Sequence, residues 1–182
     1  PILLHVANHV LYADGMTNKL NQLLQSLPYV SFHSYQCIDI AIDGHALVSK
    51  HETFVTSKQY LRKANIKNIS IMFDERNKTQ IGYVVGSKQS EKHIGIYNKQ
   101  AEILISGKHY ITDFWSKNGL LPSDNSTIDR VEGRLGAKEL VGFSNDFSCL
   151  EDPAYLGAYF KFKFENYLTF CKTSNKNKKC HL

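Results

Sequence analysis

The chain has 182 residues, of which 42% are hydrophobic and 12% aromatic, enough for the core of one domain and too much for a disordered chain. Lys and Arg number 22 against 17 Asp and Glu, a formal net charge of +5 that suits a polyanionic partner without demanding one. An uninterrupted apolar run of about 18 residues is missing, which excludes a membrane-spanning helix and argues against a membrane partner.

The start at Pro1, without Met or a signal pattern, suggests a domain excised from a longer protein. Residues 2–11 are apolar and read as a strand. Thr17 fits the cap of a helix over 17–25, with Leu20, Leu23 and Leu24 on one side. Residues 29–43 read as one long strand ended by the turn pair Asp43-Gly44. A short amphipathic helix follows over 56–64. Residues 68–73 and 80–86 form a β-hairpin, and 93–98 a further strand. The pattern over 100–118 predicts a helix broken near Gly107, in which Tyr110, Phe114 and Trp115 belong to the core. Residues 122–126 are a loop, 128–135 a strand and 137–143 a short helix. Pro153 opens the clearest helix, 153–171, whose apolar stripe includes Leu156, Tyr159, Phe160, Phe164, Tyr167 and Leu168. Residues 1–171 make one domain, and 172–182 a flexible basic tail.

Strands that neighbour one another in sequence, with helices mainly on one face, predict an α+β fold around a central antiparallel sheet. The four cysteines, Cys37, Cys149, Cys171 and Cys180, have no zinc-type spacing. They read as reduced thiols, mostly buried, which favours the cytoplasm; Cys180, in the tail, is expected to be exposed.

Three strands concentrate the chemistry. Side chains alternate along a strand with period two. Asp39, Ala41 and Asp43 therefore face away from Ile38, Ile40 and Ile42. His93, Gly95, Tyr97 and Lys99 share a face, as do Arg130, Glu132 and Arg134. A solvated face is also polar, but this mixture of carboxylates, cations, His and Tyr leaves room at its centre over Ala41 and Gly95. Asp39 and Glu132 lie mid-strand, where an uncompensated carboxylate is costly. A divalent cation would answer that, and so would an ion network with Arg130, Arg134 or Lys99. The segment Gly86-Ser87-Lys88-Gln89-Ser90 offers hydroxyls, amides and a Lys for phosphate contacts but lacks the spacing of an ATP-binding loop. Arg62, Lys63, Lys67 and Lys78 are scattered cations that a DNA path or plain solvent explains equally.

The stretch from Val85 to Lys99, VGSKQSEKHIGIYNK, resembles the G-S-x-x-S-x-x-x-I-x-I-Y-N-K segment of rolling-circle replication initiators, the trans-acting family that also takes in phage initiators and conjugative relaxases. CIDIAID at residues 37–43 resembles that family's R-I-D-I-A-I-D strand, and RVEGRL at 130–135 its R-x-E-x-R-L strand. The three come in the family's order, and the likeness spans about residues 30–170.

The resemblance implies a metal-assisted DNA-nicking fold related to the histidine-hydrophobe-histidine nucleases. It implies single-strand cleavage and joining at a replication or transfer origin through a phosphotyrosine intermediate. Asp39 and Glu132, with His93, would hold Mg2+ or Mn2+. Lys99 would steady the phosphate or the phenolate, with Tyr97 beside it. Arg130, Arg134, Lys88, Ser87 and Ser90 would contact DNA. The implied partners are single-stranded or hairpin origin DNA and a host helicase; a non-catalytic DNA-binding module is the rival reading. The departure is the nucleophile, because the window after Glu132 where the family has a tyrosine holds none, and Phe143 stands as its isostere. A Tyr-to-Phe replacement, attack by Tyr155 or Tyr159, or loss of nicking would each explain it.

Overall fold

The structure is a computed structural model that describes residues 4–47, 60–62, 69–76, 78–87, 89–124, 126–165 and 168–170. The helices are α1 (Asn8–Leu11), α2 (Met16–Ser26), α3 (Lys99–Ser106), α4 (Tyr110–Lys117) and α5 (Pro153–Phe164). The strands are β1 (Cys37–His45), β2 (Tyr60–Arg62), β3 (Ile69–Asp74), β4 (Thr79–Val85), β5 (Lys92–Asn98), β6 (Ile128–Gly136) and β7 (Leu168–Phe170). Two 3-10 turns, Ala137–Leu140 and Phe147–Glu151, link β6 to α5. Five strands form one antiparallel sheet in the order β1-β6-β5-β4-β3, and β2 pairs with β7 in a separate two-stranded ribbon. The expected α+β architecture around a central antiparallel sheet is what the chain adopts.

Register assigns each side chain to a face. Ile40, Gly133, Ile94 and Val85 are successive cross-strand partners, so they lie in one row. With Ile96, Leu135 and the α5 rings of Phe160 and Phe164 they form the largest core cluster. Gly133 is required there, since a Cβ would stand 2.4 Å from the Phe164 ring and 2.6 Å from that of Phe160. Asp152 caps α5 by accepting from the backbone N–H groups of Ala154 and Tyr155, and Pro153 occupies the first turn as read. The opposite face is covered at one end only. There α3 and α4 bury Ile103, Ile111 and Trp115 against Ile128, with Tyr12 beside them. Asn98 caps α3, and Gly107, at φ 71°, breaks α3 from α4 where expected.

Several expectations are corrected. Within 2–11 the described residues form the short helix α1 rather than a strand. The strand over 29–43 begins only at Cys37; Tyr29 has a φ of 66°, outside the extended region. It also runs past Asp43-Gly44, because β6 pairs with it as far as His45. Of the helix at 56–64, residues 60–62 are a strand and the rest lie outside the described residues. The last helix ends at Phe164, and Leu168–Phe170 turns back to pair with β2, a remote partner that local periodicity cannot reveal. Thr17 is inside α2 rather than capping it; its N–H and hydroxyl both bond Glu151, tying α2 to the second 3-10 turn. Cys149 is buried as expected, but Cys37 is exposed. Lys63, Lys67, Cys171, Cys180 and the tail lie outside the described residues. Among the described residues no helix is long and apolar enough to cross a membrane.

Candidate functional site

Across β1, β6 and β5 three rows of side chains stand on the face away from α5. They are Asp39, Arg134 and His93; Ala41, Glu132 and Gly95; and Asp43, Arg130 and Tyr97. The three strands therefore pool their polar sets on one face, with Ala41 and Gly95 flanking Glu132.

The Asp43 row is the closed end. Arg130 donates from Nε to Asp43 Oδ1 at 2.7 Å and from Nη2 to Oδ2 at 2.9 Å. Its Nη2 also donates to the Tyr12 hydroxyl at 2.8 Å, while Trp115 Nε1 donates to Asp43 Oδ2 at 2.8 Å. Burial disfavours the Arg130 charge, but its bonds to Asp43 outweigh that and hold its pKa above the ordinary value. Arg130 is thus committed within the protein rather than extended toward a phosphate. Tyr97, buried with its ring over Gly95, donates its hydroxyl to Glu132 Oε2 at 2.9 Å. Burial pushes the Tyr97 pKa well up, and the neighbouring Glu132 charge adds to this. Lys99 opens α3, is buried, and pairs with Glu102. Burial lowers the Lys99 pKa against its hydrogen bond to Glu102, and its Nζ lies 5.6 Å from the Tyr97 ring centroid.

The Asp39 row is the open end. Asp39 is 44% exposed and Arg134 48%, with Nε 3.8 Å from Asp39 Oδ1 and 3.1 Å from Cys37 Sγ. Burial raises the Asp39 pKa; Arg134 lowers it and Glu132 raises it again. The carboxylates of Asp39 and Glu132 are oxygen donors of the type a hard divalent cation takes, and His93 lies in the Asp39 row. Asp39, Glu132 and His93 are neighbours on this face, with Arg134 standing between Asp39 and His93. Among the described residues no three His, Cys, Asp or Glu side chains are gathered into a ligand group.

Other sequence-derived candidates lie elsewhere. Phe143 is 7% exposed in the core on the α5 face, its ring edge-on to those of Tyr35, Tyr155 and Tyr159 at centroid distances of 5.3, 5.4 and 4.8 Å. It therefore lies on the opposite side of the sheet from Asp39 and Glu132. Tyr155 and Tyr159 pack on that same side. The Tyr155 hydroxyl accepts from the Ser144 N–H, and that of Tyr159 donates to the Glu139 carbonyl. Burial pushes the Tyr159 pKa up to about 12. Ser87 and Ser90 sit in the exposed β4–β5 loop, their hydroxyls spent on Gln89 and on the carbonyls of Ser87 and Lys92. Lys88 lies outside the described residues. Sequence reasoning missed the partnership of Asp43 with Arg130, although Asp43 shares the Asp39 face by period two. Nothing local marks Tyr12 or Trp115, which are 118 residues from Arg130 and 72 from Asp43, respectively.

No family model matches this sequence, and no curated protein does. Among solved structures the fold is similar to that of a rolling circle replication initiator protein from Geobacillus stearothermophilus. The match has a TM-score of 0.53 at 16% identity and covers 88% of this chain. The chain spans about half of that protein, 54% of its length. The shared feature is the fold, an antiparallel sheet with flanking helices.

Proposed function

We propose that this chain is a DNA-nicking domain of a rolling-circle initiator or relaxase type, working on the open end of the β1–β6–β5 face. The observation that carries the reading is the convergence of three motif strands on one face, with Asp39 and His93 on either side of Arg134 and Glu132 in the next row between Ala41 and Gly95. The fold likeness to an initiator supports it.

Asp39 and Glu132, with His93, would hold a divalent cation, which when bound polarises the phosphate oxygens at the scissile bond. The residues themselves then do two things. Arg134, exposed at the rim, is the cation free to meet a DNA phosphate once it leaves Asp39. Arg130, held by Asp43, fixes the floor beside Glu132. Lys99, paired with Glu102, lies beside the Tyr97 ring on the α3 side. The partner is single-stranded or hairpin DNA, because a nick needs an exposed strand, and a host helicase is the further partner that the likeness to initiators suggests. Affinity should fall steeply with salt as counterions are released.

A second reading, a DNA-binding module without nicking, is favoured by one observation: the Tyr97 hydroxyl is committed to Glu132, and Phe143, Tyr155 and Tyr159 pack behind the sheet. One experiment separates them. The chain is incubated with Mn2+ and a 3′-labelled single-stranded DNA pool of randomised sequence, then run on a denaturing gel. A covalent labelled band that is lost in Asp39→Ala and Glu132→Ala supports nicking. Binding without any band supports the module.

A further inference from the structure

We propose that the groove between α3 and the β3–β4 hairpin takes one unpaired base of a single-stranded DNA, with a neighbouring phosphate on Arg76. The proposal rests on the DNA-binding reading common to both functions above and needs no cation. The groove has a volume of about 460 Å³, within the range of pockets that hold a small ligand. It begins where the polar face ends, since Asn98, which follows Tyr97 at the end of β5 and caps α3, lines it.

Its two walls differ in kind. On one side Ala101, Leu104 and Ile105 fall on one stripe of α3 by their three- and four-residue spacing. Leu104 is 76% exposed and Ile105 44%, while Ile103 of the same helix is buried in the core. On the other side stand Thr79, Gln80 and Ile81 of β4. Met72 pairs with Gly82 and Phe73 with Gln80, so Ile81 is the extra residue of a bulge. Bulges re-aim side chains and recur beside functional sites.

Leu104, Ile105 and Ile81 offer apolar surface to a ring, and polar groups stand beside it. Gln80 Nε2 is buried and donates to nothing among the described residues, a deficit that a carbonyl oxygen or ring nitrogen of a base would make good. Asp74, itself buried, accepts from the Arg76 backbone N–H at 2.9 Å. Its carboxylate can also accept from a base amino group, and it disfavours a phosphate within the groove. The phosphate falls instead to Arg76, which is exposed, lines the same groove and has no ion-pair partner among the described residues. A peptide side chain would use the apolar wall alone, whereas the unmet donor, the carboxylate and the cation together suit a nucleotide.

The test is fluorescence anisotropy in EDTA, with a labelled single-stranded DNA pool of randomised sequence and an oligomer of equal length built from abasic sites. Leu104→Glu alters the apolar wall at an exposed position. Val141→Glu, 78% exposed beside α5, makes the same charge change away from the groove. The unaltered chain should bind the pool more tightly than the abasic oligomer. Leu104→Glu should erase that preference and bind the pool about tenfold more weakly than Val141→Glu, the worth of one stacked base. Arg76→Gln should weaken binding of both oligomers and lower the salt slope by about one. Equal pool binding by Leu104→Glu and Val141→Glu overturns the inference, leaves DNA binding standing and gives the apolar wall to a protein partner. Full affinity of Arg76→Gln for both oligomers also overturns it. If the unaltered chain binds neither oligomer, the DNA-binding reading fails, and the inference fails with it.

Discussion

Asp43 and Arg130 face each other across β1 and β6 and join by two parallel hydrogen bonds, with side chains 13% and 6% exposed. Together with Trp115 and Tyr12 they close one end of the polar face. The other end, where Asp39 and Arg134 meet at 3.8 Å, stays open to solvent. The same strand pair thus carries a structural ion pair and a loose one, four residues apart on the same face of each strand.

That contrast sets the first expectation. Asp43→Ala leaves a buried guanidinium without its partner and should cost about 3–5 kcal/mol. Arg134→Ala breaks an exposed contact and should cost less than about 1 kcal/mol. Urea denaturation of both variants checks the ordering; equal losses would mean that the closed end is no more rigid than the open one.

Asp39 should show a charge penalty with a definite sign. Its folded pKa is raised above the ordinary value, chiefly by burial, so the native state favours the protonated form. The associated stability is fully present below the ordinary aspartate pKa and is lost as pH rises through the raised value. Asp39→Asn should therefore melt higher than the unaltered chain at neutral pH, and the gap should close in acid. Thermal melts from neutral to acid pH would reveal it; a gap independent of pH would remove the penalty.

Phe143→Tyr should not create a nicking tyrosine. The new hydroxyl would enter the aromatic cluster behind the sheet, costing about 1–3 kcal/mol if it finds no partner. Adduct yield with the single-stranded pool should match that of the unaltered chain. A new covalent band would place residue 143 at the DNA after all.

Gly133→Ala should loosen α5 from the sheet. The added methyl meets two phenyl rings at once, and overpacking of this kind costs about 1–3 kcal/mol. Differential scanning calorimetry gives the value, and a neutral substitution would show that Phe160 and Phe164 yield freely.

Much of the sheet is legible in sequence because β1, β5 and β6 are regular, with β6 paired to both of the others, so alternation alone assigns their faces. The break at Gly107 and the Pro153 start of α5 follow equally from single residues. Phe143 could not be placed this way, since its side depends on how the 3-10 turn after β6 folds back. The pairing of residues 60–62 with 168–170 was hidden for the same reason: a remote partner overrides local helical periodicity. The ion pair of Asp43 with Arg130 was within reach, as both lie in strands whose faces were assigned, but the register between those strands is not written in either one.

The polar face is tested most directly by paramagnetic broadening of backbone amide resonances on adding Mn2+. Selective loss of the Ala41, Gly95 and Glu132 signals, with those around Phe143 and α5 retained, is the expected result. Broadening centred away from β1, β6 and β5, or none at Mn2+ levels that support DNA binding, would contradict the assignment of this face as the cation-assisted DNA site.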